Sequence, residues 1–312
     1  MALMSFGEAL IDFLPADKPG EFKACAGGAP ANVAVALACL GHNSFFVGGM
    51  SADAMGDFLR HEMASRGVNL DYIALINHAP TSLVLVTLDS HGERSFQFYR
   101  EGGADALFSG EHLRIEAFKY ASIFHFCSNT LTHLSLNEAT WQALELAHKH
   151  HLIVSFDVNL RLSLWSEQQR THLFARVMEC VARSHIIKLA SEECAYLAGQ
   201  AGCTEAQWIA QCLTNDCTEL VVVTDGGKPV NAYTRHGQLC VTPPEVTPVD
   251  TTGAGDAFIA GLLANLDTCL LQGDGFAHWL GEETLQQALV QACANGAKAC
   301  QIKGAFEAMP AG

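Results

Sequence analysis

At 312 residues, 49% of them hydrophobic, the chain is long enough for one large domain with an ample core. Its formal charge of −15, with 18 Lys and Arg scattered along it, argues against a nucleic-acid groove or an anionic membrane as partner. The sequence reads as having no apolar run of membrane-spanning length, and Glu8 and Asp12 interrupt the first apolar residues where a signal peptide would need an unbroken run. The 12 cysteines are dilute and form no C-x-x-C, so they read as reduced, mostly buried thiols of a cytoplasmic protein.

In chain order, residues Leu3 to Phe13 read as one strand carrying two acids, Glu8 and Asp12. A tight loop, Cys25 to Asn32, then feeds a helix of small apolar residues from Val33 to Leu40, ended by Gly41. A strand at 45–47 and a helix near 53–65 follow. Residues 82–99 differ: an apolar strand, a turn at Asp89-Ser90-His91-Gly92 and a period-two stretch predict a hairpin in a small accessory sheet. From Ser122 onward strands (122–127, 152–157, 185–189, 220–224) alternate with helices (136–150, 166–182, and 191 to Gly199). A short β pair across 232–241 and helices from Gly255 to Leu271 and over 285–300 complete the chain. The run His148-Lys149-His150-His151 falls at a helix C-terminus, where cationic side chains are common, and reads as that rather than as a metal site. Repeated strand–helix units predict an α/β fold with a mostly parallel sheet covered on both faces, its ligands collected at the carboxyl ends of the strands. Asp157, Asn159, Arg161, Lys188 and the segment Thr224 to Lys228 fall at such ends.

The stretch Asp250-Thr251-Thr252-Gly253-Ala254-Gly255-Asp256 runs from a polar turn straight into an apolar helix. Unpaired first-turn N–H groups and the helix macrodipole suit that end to an anion, and the glycines allow close approach. Alone, the same residues also describe an ordinary helix start, with Asp256 complementing the dipole. A P-loop is excluded, because the one Gly-Lys pair, Gly227-Lys228, is followed by Pro229. A dinucleotide fingerprint is excluded too, since Gly253-x-Gly255 lacks the third glycine.

Asp250 to Phe258 resembles the C-terminal signature of the ribokinase-like (PfkB) carbohydrate kinases, and Gly27 to Ala34 with Gly41 resembles their N-terminal one. Within that family, residues 6–13, 92–100 and 156–165 are most similar to fructokinases. The resemblance implies a single domain over 1–312, a three-layer α/β/α sandwich with a mostly parallel central sheet, and a small β-sheet lid built from about 12–24 and 72–100. It implies ATP-dependent phosphorylation of a sugar primary hydroxyl, D-fructose to fructose 6-phosphate, with 2-keto-3-deoxygluconate, ribose or a nucleoside as other acceptors and a non-catalytic sugar-binding relative as the rival from another class. By the same resemblance Asp256 is the general base, Gly253, Ala254 and Gly255 form the anion hole, and Arg161 contacts substrate or phosphoryl group. Asp12, Gly28, Asn32, Arg100 and Asn159 would bind the sugar. Lys188, Glu193, Thr224, Gly226 and Asn295 would serve ATP, Glu193 with Mg²⁺ through water, and Asp250 and Thr252 would mark a K⁺ position. The implied partners are a small sugar and, through the lid, a second copy of the chain. Three positions depart from the family pattern: Ser51 stands where glycine is usual, Ala190 where Asn or Ser is, and Pro229 where glycine is.

Overall fold

The computed structural model describes residues 2–16, 18, 20–88 and 94–310. The chain opens with β1 (Ala2–Phe6), β2 (Leu10–Pro15), β3 (Phe22–Gly27), α1 (Ala29–Cys39), β4 (Ser44–Val47) and β5 (Gly49–Met50). Next come α2 (Ala54–Ser65), β6 (Ala74–Leu75), β7 (Leu83–Leu88), β8 (Arg94–Tyr99), α3 (Ile115–Tyr120), β9 (Ala121–Cys127) and α4 (Leu134–Lys149). The alternation continues with β10 (Ile153–Asp157), α5 (Glu167–Ala182), β11 (Ile186–Ala190), α6 (Ser191–Ala201), α7 (Glu205–Leu213) and β12 (Leu220–Thr224). Last are β13 (Val230–Thr234), β14 (Gly237–Val241), α8 (Ala254–Leu271), α9 (Phe276–Trp279) and α10 (Glu282–Ala299).

The central sheet has eight strands in the order β14-β13-β12-β11-β10-β9-β1-β4. Its pairs from β4 to β12 are parallel, and β12–β13 and β13–β14 are antiparallel. Both faces are buried, so the strands read as nearly unbroken apolar runs, as parallel sheets between helices do. Neighbouring residues divide between two cores. Phe46, Ile186 and Val222 pack with α1, α8 and α10, whereas Phe45, Ile187 and Val221 pack with α4, α5, α6 and α7. The two cores with the sheet between them make the three-layer sandwich of the ribokinase fold.

One sequence expectation needs correction here. Helix α8 is long and apolar enough, by length and composition, to cross a membrane. Its apolarity has another cause: residues from Ala257 to Leu266 are almost all buried against α1 and α10, and a helix surrounded by protein is hydrophobic all round.

A second sheet, ordered β3-β2-β7-β8, stands apart with its own small core of Leu10, Leu14, Cys25, Val84 and Val86. The hairpin pairs Leu83 with Tyr99 through Leu88 with Arg94; the turn at 89–92 lies outside the described residues. The single strand expected over 3–13 is two strands in different sheets. Gly7 (φ +148°) breaks it, and a Cβ there would lie 2.6 Å from Pro30 Cγ. Helix α1 starts at Ala29 rather than Val33, because Pro30 fits the first helical turn, where its missing N–H costs nothing. Gly199 does not end α6; Gly202, left-handed at φ 68°, does. Helices α3, α7 and α9 had no counterpart in the sequence reading.

The twelve cysteines are all free thiols, seven of them buried. At the histidine run, α4 ends on Lys149, and His148 Nε2 lies 2.8 Å from the Arg183 carbonyl oxygen.

Candidate active site

The N-terminus of α8 opens at the carboxyl edge of the central sheet. Gly253, its N-cap, is left-handed (φ 77°), and a Cβ there would lie 2.7 Å from Met309 Cε. Ala257 N–H donates to the Gly253 carbonyl at 2.8 Å, so Gly255 and Asp256 lie in the first turn, whose N–H groups face the loop. Asp256 is buried, and its Oδ2 accepts from Asn32 Nδ2 at 2.7 Å. Burial raises its carboxyl to about 6; the Asn32 hydrogen bond opposes that, Asp157 adds to it, and Lys188 and Arg161 oppose it. Asn32 Oδ1 is buried with no partner among the described residues. Asn32 reaches this place because Gly28 is the N-cap of α1, and the Asn32 N–H donates to the Gly28 carbonyl at 2.8 Å. Asp12 reaches it from the second sheet, against Gly27. Burial, then Asp256 and Asp250, raise the Asp12 carboxyl to about 7. The structure thus brings Asp12, Gly28, Asn32 and Asp256 together from β2, the α1 N-terminus and α8.

Cations approach from β10 and β11. The parallel register sets Lys188 beside Asp157, and its Nζ donates to both carboxylate oxygens at 3.1 and 2.9 Å. A Cβ on Gly255 would lie 3.0 Å from the same Nζ, so the ammonium sits at the mouth of the α8 turn. Burial alone would lower the lysine's pKa; Asp157 and Glu193 outweigh it and raise it. Glu193 accepts from the N–H groups of Leu160 and Ala190 at 2.5 and 2.7 Å. Its carboxyl is raised by burial and by Asp157, against Lys188 and those two amides. Ala190 cannot cap α6 with a side chain, and Glu193 reaches back to do part of that work. Asn159, left-handed at φ 34°, and the exposed Arg161 continue the loop past Asp157.

Beyond the α8 turn lies a cavity of about 570 Å³, lined by Thr224, Gly226, Gly227, Thr251, Gly255 and Phe258 among others. Sequence reasoning missed most of its walls: the Pro243–Pro248 loop, which has no motif, and the α10 face of Cys293, Gly296, Ala297 and Cys300. A heptad-like spacing on α10 was the available signal. The departures find places here too. Pro229 directly precedes β13, where no ladder bond is lost, and Ser51 Oγ accepts from the Asp53 N–H at 3.0 Å.

Two expected site residues, Asn295 and Arg100, are buried in packing contacts. Asn295 is off the cavity-lining face of α10; it is buried at the α8 seam, where a Cβ on Gly261 would lie 2.5 Å from its Nδ2. Asp105 takes the Arg100 Nε at 2.5 Å and Asn129 O and Thr132 Oγ1 take its Nη1, each at 3.3 Å, while its Nη2 is buried with no partner among the described residues. Asp250 is buried, its carboxylate accepting from Thr252 N–H at 2.8 Å and Gly304 N–H at 3.1 Å.

A helix N-terminus, a lysine at its mouth, a buried acid and a cavity of about 570 Å³ on one sheet edge are the parts that a phosphoryl-transfer site needs. The model of the pfkB family carbohydrate kinases matches residues 2–312, and the chain belongs to that family. A fructokinase of Klebsiella pneumoniae is 39% identical over 305 residues, 97% of this chain and 94% of that protein. Among solved structures, fructokinase from Xylella fastidiosa with bound ATP superposes with a TM-score of 0.93 at 40% identity, covering 99% of this chain and 95% of that one. Fructokinase from Vibrio cholerae with fructose, ADP and calcium does so at 0.88 and 34%, covering 99% and 96%.

Proposed function

We propose that the protein transfers the γ-phosphoryl group of ATP to the primary hydroxyl of D-fructose, giving fructose 6-phosphate. The observation that carries this is Asp256: a buried carboxylate at the head of α8, aimed by Asn32, with its pKa raised to about 6. That value leaves it ionised at neutral pH yet basic enough to accept a proton. The sugar O–H gives its proton to Asp256 as its oxygen bonds to the γ-phosphorus, and the bond to the ADP oxygen breaks in line. Charge growing on the phosphoryl oxygens meets the first-turn amides of α8 and the Lys188 ammonium. Asp12 and Asn32 Oδ1 read sugar hydroxyls, with Asn159 and Arg161 closing the side beyond Asp157. Fructose is favoured by the likeness to fructokinases over the whole chain.

The donor set suits a Mg²⁺ ion that arrives with the nucleotide. Among the described residues no three His, Cys, Asp or Glu side chains converge on one point, and Mg²⁺ bound by phosphates and water needs only a carboxylate such as Glu193. When bound, the ion neutralises the phosphate oxygens. The buried Asp250 carboxylate and the Thr252 loop suit K⁺ beside the anion hole. The four-stranded sheet serves as a lid that excludes water, and its exposed Phe22, Phe96 and Tyr99 suit it to pair with a second copy.

The test combines a sugar panel with Asp256→Asn. Fructose should exceed ribose and 2-keto-3-deoxygluconate in kcat/KM, and the variant should bind fructose while turnover falls about 10²–10⁴-fold. Preference for the acid sugar would overturn the substrate, and an undiminished rate would remove Asp256 from its role.

A further inference from the structure

The roots of the β7–β8 hairpin are tied to the floor of the sugar site by acids that phosphoryl transfer does not use. Asp53, at the N-cap of α2, accepts from the Thr81 N–H at 2.8 Å and the Thr81 hydroxyl at 2.6 Å, as well as from Gly56 N–H at 2.7 Å. The next residue, Ser82, donates its hydroxyl to Asp105. At the other root, directly after β8, Arg100 donates to that same Asp105 carboxylate. Arg100 is 4% and Asp105 1% exposed. The turn between them folds back because Gly102 is left-handed (φ 70°) and Gly103 leaves room for the Ser82 hydroxyl. From Arg100 the contacts run inward. Its Nη1 donates to the Asn129 carbonyl, Asn129 Nδ2 donates to Glu8 at 2.9 Å, and the Glu8 carbonyl lies 2.5 Å from where a Gly28 Cβ would stand.

We propose that Asp105, with Asp53 beside it, is a positioning residue that sets the pitch of the lid over the sugar. One carboxylate bonded to Ser82 and Arg100 fixes the separation of the hairpin's two roots. Asn129 and Glu8 refer that clamp to Gly28, and hence to Asn32 and Asp256. The role is distinct from chemistry, since Asp105 is buried with one carboxylate oxygen taken by Ser82 and the other by Arg100. It rests on the reading of the second sheet as a lid over a sugar-kinase site.

The experiment measures sugar KM, kcat, sugar-independent ATP hydrolysis and thermal stability for Asp105→Asn, Ser82→Ala and Thr81→Val. Asp105→Asn should raise the fructose KM about tenfold and the ratio of ATP hydrolysis to sugar phosphorylation by at least as much, with kcat within about threefold. Ser82→Ala and Thr81→Val, each losing one hydrogen bond, should move both quantities about threefold the same way. Should Asp105→Asn not fold, those two carry the test. Folded variants with KM and hydrolysis ratio within about twofold of wild type would overturn the inference, because a purely structural role lowers stability without moving that ratio. A wild-type protein that turns over no sugar would instead overturn the kinase reading, and this inference with it.

Discussion

The carboxylate proposed as base should make the empty enzyme less stable, and the size of that penalty can be worked out. In the fold the Asp256 carboxyl rises from its ordinary 3.8 to about 6. The native state therefore holds this proton over a range where the unfolded chain has released it. Stability then falls as pH rises from about 4 through 6 and levels off above that. At roughly 1.4 kcal/mol per pH unit, the ionised group costs about 3 kcal/mol at pH 8 compared with an unperturbed aspartate. Asparagine at 256 carries no charge and can still accept from Asn32. Asp256→Asn without ligands should thus melt higher than wild type at pH 8, by roughly 5 °C for a chain of this size. The gap should shrink to about a third of that by pH 4.5 and go on closing toward pH 3, where the unfolded chain holds the proton as well. Asp12 adds a check: Asp256 is one of the charges holding it near 7. The Asp12→Asn and Asp256→Asn gains should therefore sum to less than their separate values. Thermal melts of the four proteins across pH 4–8 test all of this. A variant no more stable than wild type at pH 8, or a gap that widens on acidification, would refute the reasoning.

Two further outcomes follow from local geometry. Gly28→Ala places a Cβ 2.5 Å from the Glu8 carbonyl at a φ of +110°. It should cost about 3 kcal/mol or more in denaturant melts and weaken sugar binding, and a neutral effect would mean that the β1–β2 turn yields freely. Ala190→Ser gives α6 the N-cap hydroxyl it lacks and should add about 1 kcal/mol with kcat unchanged. A loss of stability there would show that Glu193 already does all the capping the helix can use.

Much of this protein was legible from its residues. The alternation after Ser122 is strand followed by helix because apolar runs bounded by turns can bury both faces only in a parallel sheet. The Gly253 to Asp256 turn and the Gly27 to Asn32 loop each fix a local backbone shape, so their chemistry can be read without the fold. The tertiary structure decided what depends on distant neighbours. Leu3 to Phe13 looks like one strand by pattern, and only Pro30 packing against Gly7 divides it between two sheets. Arg100 has the residue type of a sugar-binding cation, and only the turn at Gly102 and Gly103 brings Asp105 back to claim it. Asn295 differs from Cys293 and Gly296 in which side of α10 it occupies, and that side was set by α8. Local sequence specifies backbone and reactive groups; which atom a buried charge answers to is settled by residues far along the chain, because burial makes pairing obligatory.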